Sequence, residues 1–166
     1  MQYYVFGENG GPVTGSGMTP DATYPPGAIP CDAYVYQNPH LFEIQGGAPV
    51  ISNARQLQQA KSAKLSEITA DYAAATTADI AYMSTTFQTN PASIDTMAQV
   101  LSGSALGLPP DFYWVDAGNV KVSMTLTQLQ GLGTAVIERN WEAFKVLQDK
   151  KTLLASAATI DDVNAL

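Results

Sequence analysis

The sequence has a single cysteine, a single histidine and few charged residues. Because Cys31 is the only cysteine, no disulfide bond can form within the chain. His40 is the only histidine, and since a zinc site needs three or four ligands we expect no metal centre. Asp, Glu, Lys and Arg make up 14% of the 166 residues, against about 25% in an average protein. So thinly charged a surface is typical of a protein that covers part of itself with a partner.

Basic residues are scarce, and they are absent from the first third of the chain. The sequence has eight Lys and Arg against fifteen Asp and Glu, for a net charge of −7. Residues 1–54 contain no Lys or Arg, and all eight lie between Arg55 and Lys151. Since clustered cations are what bind nucleic-acid phosphates and anionic lipids, we expect neither partner. The asymmetry predicts two segments with different roles.

Long hydrophobic runs are also missing. No apolar run approaches the ~18 residues of a membrane-spanning helix. The first residues, MQYYVFGENGG, lack the basic and apolar regions of a signal peptide. We therefore expect a protein that is made and used in a cytoplasm.

Residues 1–53 have the pattern of a small β-rich module. QYYVFGENGGPVT predicts a strand, a turn at Asn9-Gly10-Gly11 and a second strand, and LFEIQGGAPVIS predicts another hairpin around Gly46-Gly47. Gly, Pro, Ser and Thr dominate from Gly15 to Pro30, which predicts a surface loop. The stretch CDAYVYQNP fits either one helical turn or an edge strand.

Residues 54–166 have the pattern of a mainly helical domain with a short antiparallel β-sheet, so the predicted class is α+β. Asn53 is the predicted N-cap of a first helix, and Pro91 and Gly103 bound another. A short strand is expected between Ile80 and Phe87, a hairpin between Phe112 and Met124, and a final short helix at residues 161–165. The predicted apolar face of the first helix comprises Leu57, Leu65, Ile68 and Tyr72.

A long helix is predicted to begin after Thr125 or Thr127 and to run to about Leu154. Two glycines near its start, Gly131 and Gly133, weaken it by about 1 kcal/mol each, which suggests close packing there. Its predicted apolar face comprises Leu129, Leu132, Val136, Phe144 and Leu147.

The aromatic triplet Phe112, Tyr113 and Trp114 is the most conspicuous candidate for a ligand site. Side chains alternate between the two faces of a strand, so the three cannot line one pocket. We expect two of them to fill the space between the sheet and the long helix.

The sequence shows no pattern that indicates an enzyme. The acidic residues of the second segment have no spacing of a catalytic pair, and GENGGP lacks the Gly-Lys-Ser/Thr ending of a phosphate loop. Glu138 and Arg139 are expected on a solvated helix face. We therefore expect no catalytic residue and no cofactor, and a hydrolase using Cys31 and His40 is the alternative of that class.

Four stretches follow one another in the order helix, Phe-Gln-Thr strand, helix, Phe-Tyr-Trp hairpin and long helix. They are RQLQQAKSAKLSEI, IAYMSTTFQTNPASIDTMAQVL, FYWVDAGNVKVSMTLTQLQGL and VIERNWEAFKVLQDKKTLLASAATIDDV. On these stretches, the region from about Arg55 to Leu166 resembles the uncharacterised C-terminal domain common in phage tail proteins and tail-fibre assembly proteins.

The resemblance implies a tail-fibre assembly chaperone, which binds the C-terminal tip of a trimeric fibre in the host-cell cytoplasm and assists its folding. The alternative is a structural tail, baseplate or fibre-attachment component that stays in the virion. The expected partner-binding residues are aromatic residues of the N-terminal module, which fit a role in covering the helical domain equally well. They are Tyr3, Tyr4, Phe6, Tyr34, Tyr36 and Phe42.

Overall fold

The first strand, β1 (Gln2–Gly7), lies in the middle of a three-stranded sheet in the computed structural model, which describes residues 1–21 and 23–166. β2 (Val13–Thr19) and β3 (Ile29–Cys31) flank it, both antiparallel. The predicted loop from Gly15 to Pro30 is therefore wrong over its first five residues, which belong to β2, and over its last two, Ile29 and Pro30, which belong to β3. β2 continues through two glycines to Thr19, because pairing with β1 supplies the order that the local sequence does not.

The chain separates into two compact units, which are described one at a time. One comprises Met1–Lys64 together with Ser156–Leu166, and the other comprises Leu65–Ala155. The structure is 51% helix and 23% strand, which confirms the α+β class. None of the helices described is long and apolar enough to cross a membrane.

The first unit is built around the three-stranded sheet, a short helix and a hairpin. The stretch CDAYVYQNP, which fitted either a helical turn or an edge strand, forms the short helix α1 (Ala33–Gln37). The Asp32 carboxylate caps it by accepting a hydrogen bond from the backbone N–H of Val35 at 2.8 Å. The predicted hairpin is confirmed as β4 (Phe42–Gln45) and β5 (Ala48–Ile51). The core of the unit consists of Val5, Val35, Leu41, Phe42 and Ile44.

Two further helices begin in the first unit. Asn53, which was predicted as the N-cap of the first helix, is instead the first residue of helix α2 (Asn53–Thr77). The cap position is the buried Ser52, whose carbonyl accepts the first helical hydrogen bond from the backbone N–H of Gln56. At the other end of the chain, Thr159 and Asp162 form a reciprocal capping box that starts α5 (Ile160–Asn164).

The second unit contains two hairpins, helix α3 (Pro91–Gly103) and most of α4 (Leu126–Ser156). The hairpins are β6 (Ile80–Tyr82) with β7 (Thr85–Phe87), and β8 (Tyr113–Val115) with β9 (Lys121–Ser123). The β6–β7 turn places two non-glycine residues, Met83 and Ser84, at φ of 51° and 63°. One buried core cluster of this unit consists of Phe87, Met97, Met124, Leu129 and Leu132.

The aromatic triplet behaves as expected. Phe112 and Trp114 pack against the core of the second unit, whereas Tyr113 is exposed beside Lys121, whose ammonium lies 4.5 Å from its ring centre. The triplet therefore belongs to the core and its rim.

Thr125 is confirmed as the cap of α4. Its hydroxyl accepts a hydrogen bond from the backbone N–H of Gln128, and the side-chain oxygen of Gln128 accepts one from the backbone N–H of Thr125.

Glycines near the start of α4 allow other elements to approach closely. A Cβ built at Gly131 would overlap the hydroxyl of Tyr82, and one at Gly133 would lie 3.2 Å from a methyl of Leu101. The expected close packing at both glycines is confirmed, with a much tighter contact at Gly131.

Two predictions about apolar helix faces are wrong. Phe144 is 39% exposed, because it lies about 80° around α4 from the buried Val136 at 100° per residue. Leu65 on α2 is exposed, although Ile68 three residues later is buried as predicted.

Arg139 is not on a solvated helix face, in contrast to the prediction. Its guanidinium donates to the carbonyls of Thr76 and Ala78 at the end of α2, to the hydroxyl of Thr89 at 2.8 Å and to the side chain of Asn140. The bond to the Thr76 carbonyl is 2.6 Å long. Burial lowers the pKa of Arg139, while a cation at a helix C-terminus is favoured by the dipole. Arg139 thus fastens α4 to the end of α2.

Candidate functional site

The residues of β1 divide between the two faces of the sheet, as the alternation of a strand requires. Val5 is fully buried in the core of the first unit, and Tyr3 lies on the same side, where its ring stacks on that of Tyr36 at 4.9 Å. Tyr4 and Phe6 point to the opposite face. The predicted partner-binding residues of β1 therefore do not form one surface.

The second face of the sheet is covered by aromatic rings that lie over glycines. Tyr4 pairs with Gly17 and Phe6 with Gly15 in the register of β1 and β2. A Cβ built at Gly17 would overlap the Tyr4 ring, and one at Gly15 would lie 3.5 Å from the Phe6 ring. The absence of a side chain at Gly15 and Gly17 thus lets the β1 rings lie over the backbone of β2.

Tyr24 completes this surface, which we call the aromatic face and define as Tyr4, Phe6 and Tyr24. The Tyr4 ring meets those of Phe6 and Tyr24 edge-on, with centres 5.5 and 6.1 Å apart. All three are only partly buried. Tyr24 was not among the predicted residues, and its only sequence signal is that it is an aromatic residue in a Gly- and Pro-rich segment.

The edge of the sheet next to the aromatic face is strand β2. Among the described residues, β2 has a strand neighbour on one side only, and an isolated bridge joins Pro12, just before it, to Glu43. Its sequence, VTGSGMT, carries no charge and no proline. Natural proteins usually protect an exposed edge with lysines, prolines or bulges. Here the register shifts between Phe6 and Gly7, so that Thr14 is the extra residue of a bulge at the start of β2, and Gly15 to Thr19 pair regularly with β1 without a lysine or a proline among them.

The other predicted partner-binding residues lie around α1. Tyr34 is 52% exposed, and its ring edge meets that of Phe42 with centres 5.9 Å apart. Phe42 is only 4% exposed and belongs to the core, so it offers no surface to a partner in this structure. Tyr34 is the most accessible of the set, Tyr36 is half-buried against Tyr3, and neither lies on the aromatic face.

Cys31 and His40 also belong to the first unit. Cys31 ends β3 and is half-buried, and burial followed by the nearby Asp32 carboxylate raises the pKa of its thiol. A thiol with a raised pKa is a poor nucleophile at neutral pH. His40 lies in a short 3₁₀ turn at Pro39–Leu41. In the part of the chain that the structure describes, no three His, Cys, Asp or Glu side chains gather closely enough to hold a metal ion.

A shallow cleft of about 460 Å³ lies beside the β8–β9 hairpin of the second unit. Tyr113 and Trp114 line part of it, and the other lining residues are mainly amides and hydroxyls such as Gln88, Asn90 and Ser93, together with two small apolar side chains. The lining has no carboxylate, imidazole, thiol or amine. It offers neutral hydrogen bonds and an aromatic surface, with Tyr113 as its one titratable group.

Comparison with known proteins places two thirds of the chain in a family. A family model described as a domain of unknown function (DUF4376) matches residues 59–165. No curated protein and no solved structure matches the chain. The matched region begins inside α2, so strands β1 to β5, the aromatic face and the β2 edge all lie outside it.

Proposed function

The chain belongs to the DUF4376 family of unknown function, and from that premise we propose that it is a phage tail-fibre assembly chaperone that binds the C-terminal tip of the fibre. The proposal combines the sequence resemblance to tail-fibre assembly proteins with one structural observation. That observation is the uncharged β2 edge next to the aromatic face.

Strand addition is the mode of binding that suits this edge. A fibre tip exposes unpaired strand edges and apolar patches before it trimerises, and such edges aggregate readily. An extended segment of the fibre pairs its backbone N–H and C=O groups with those of β2, while its side chains pack beside Tyr4, Phe6 and Tyr24. Since main-chain bonds provide the affinity, the fibre strand is released once its own trimer partners compete for the same groups.

The lack of basic residues in the N-terminal third of the chain supports this mode of binding. Residues 1–54 have no Lys or Arg, so no cation would have to be desolvated when a strand is added to the edge. The chemistry available elsewhere supports a binding role as well. The cleft beside β8–β9 has no acid–base pair, and Cys31 carries a thiol with a raised pKa.

The test is co-expression with the fibre protein encoded next to this chain, followed by size-exclusion chromatography of the soluble fraction. We expect the fibre to be soluble only in the presence of this chain, and the two to co-elute. Truncation of the fibre tip should abolish co-elution. A fibre that folds alone and does not bind this chain would refute the proposal for that fibre.

A pair of lysine substitutions tests the edge itself. Ser16 is exposed in the middle of β2, and Ser123 is exposed in β9 of the second unit. Ser16→Lys introduces the charge that natural edges use against strand addition, so it should abolish co-elution. Ser123→Lys is the matched control and should leave binding unchanged. Equal binding by both variants would exclude strand addition at β2.

A role as a structural tail component predicts a different result. In that case the chain would be found in purified particles at a fixed ratio to the other tail proteins. A transient chaperone would be absent from them, whereas a chaperone that stays bound would be present only together with the fibre.

A further inference from the structure

Helix α4 carries exposed apolar side chains beside the face that it buries in the core. Ile137 is 70% exposed, Trp141 57% and Phe144 39%. At 100° per residue the three lie within about 60° of one another around the helix, and we call them the α4 stripe. The Trp141 and Phe144 rings are stacked, with centres 5.7 Å apart. The three side chains together expose on the order of 300 Å² of apolar surface, the size of the largest apolar patch on a typical monomer, which is often functional.

The charged residues beside the α4 stripe indicate what covers it. Glu138 and Lys145 are both exposed and seven residues apart, so they lie two turns apart on the same flank of the stripe. Their midpoint falls between Trp141 and Glu142. Lys145 reaches Glu142 at 2.7 Å within its own helix, an exposed pair that contributes little and leaves the ammonium able to turn to another carboxylate.

We propose that the α4 stripe is the contact surface of a two-fold symmetric, antiparallel homodimer. When two copies of α4 pack antiparallel about a two-fold axis at Trp141, the same flank of each helix meets the same flank of the other. Glu138 of one copy then lies opposite Lys145 of the second, and Lys145 opposite Glu138. Trp141 packs on Trp141 of the other copy, and Ile137 packs on Phe144.

A parallel arrangement lacks this complementarity. It brings the flank with Glu138 and Lys145 against the opposite flank of the stripe, where Asn140 is half-buried and Gly133 is buried. Neither residue has a charge to offer. The antiparallel pair therefore uses both charges of each copy, and the parallel pair uses none.

The size of the stripe sets the strength of the dimer. The surface area that two α4 stripes and their flanks can bury against each other is at or below the lower end of the ~1,200–2,000 Å² that stable interfaces bury. The dimer is thus a reversible one that forms as concentration rises, and not an obligate one.

The test is sedimentation velocity of the full chain over a series of concentrations. We expect the weight-average mass to rise from 17.6 kDa towards twice that value. Ile137→Glu should remain at the monomer mass throughout. The matched control is Val146→Glu, which changes another exposed β-branched residue of α4 (54% exposed) on the opposite side of the helix. It should dimerise like the wild type, with circular dichroism verifying the fold of each variant.

Charge exchange tests the antiparallel geometry. Glu138→Lys and Lys145→Glu should each weaken self-association about tenfold, because two attractive pairs become two repulsive ones. The double variant E138K/K145E should recover it. An equimolar mixture of the two single variants should form a mixed dimer, since each supplies the charge that the other lacks.

A wild-type chain that stays at 17.6 kDa at every concentration overturns the proposal. So does a dimer that Ile137→Glu leaves intact, or one that Val146→Glu disrupts while the variant remains folded. Self-association that neither single charge variant weakens would exclude the antiparallel pairing.

Discussion

Replacement of Arg139 should destabilise the second unit more than that of any exposed cation on the same helix. In Arg139→Ala, the carbonyls of Thr76 and Ala78 lose their guanidinium donor. The Thr89 hydroxyl also loses the hydrogen bond that it accepts from the guanidinium. Thr89 is fully buried, and its hydroxyl donates to the Ala78 carbonyl at 2.5 Å. The substitution therefore removes the link between the end of α2 and the middle of α4.

The expected loss is roughly 2–4 kcal/mol, since a hydrogen bond to a charged group contributes about 1.5–3 kcal/mol and these bonds are partly open to solvent. With about 2–4 °C per kcal/mol for a chain of this size, the melting temperature should fall by roughly 4–16 °C. Arg139→Lys keeps the charge but reaches fewer of the acceptors, so it should lose about half as much.

Urea unfolding followed by tryptophan fluorescence measures this loss directly. Trp114 and Trp141 are the only two tryptophans in the sequence, and both belong to the second unit, so the signal reports on the unit that contains Arg139. Lys151→Ala is the matched control. It removes an exposed cation of α4 that takes no part in the contacts of Arg139, and it should change the free energy of unfolding by less than about 0.5 kcal/mol. A loss below about 0.5 kcal/mol for Arg139→Ala, or equal losses for both variants, would refute the reasoning.

Three further predictions concern the glycines of α4, the last helix and the cysteine. Gly131→Ala should destabilise despite a propensity gain of about 1 kcal/mol, because its Cβ would overlap the Tyr82 hydroxyl, while Gly133→Ala should be neutral or stabilising. Thermal melts compare the two, and a more stable Gly131→Ala would contradict the contact. The Asp162 pKa is lowered, chiefly by bonds from Thr159, so its stabilisation is complete above the ordinary value of 3.8 and is lost as pH falls through the lowered pKa. The difference in unfolding free energy between wild type and Asp162→Asn should shrink as pH falls below 3.8, and a difference independent of pH would exclude the charge as its source. The Cys31 thiol should react with iodoacetamide at pH 8 more slowly than free cysteine, and a rate equal to that of free cysteine would show that its pKa is not raised.

Features that depend on neighbouring residues were predictable from the sequence. The α+β class, the hairpin at Gly46-Gly47, the cap at Thr125 and the burial of Phe112 and Trp114 follow from turn chemistry, capping and strand alternation. Each depends on residues a few positions apart, so no knowledge of the tertiary structure is needed.

Features that depend on residues far apart in the chain were not predictable from the sequence. The β6–β7 turn uses Met83 and Ser84 at positive φ, where the sequence has neither glycine nor asparagine to indicate a turn. Of the predicted partner-binding residues, Tyr4 and Phe6 lie on the aromatic face, Tyr24 joins them from a segment without periodicity, and Phe42 is in the core. The face on which each ring lies depends on the pairing of β1 with β2 and on the packing of α1.

The sequence by itself therefore determined the class of the fold, most of its elements and the aromatic character of the N-terminal module, because periodicity and capping act over short distances along the chain. Tertiary structure alone decided that β2 forms an uncharged edge, that Arg139 binds carbonyls some sixty residues earlier, and that Trp141 and Phe144 stay exposed. The reason is that burial and hydrogen bonding of a side chain depend on which distant segments pack against it.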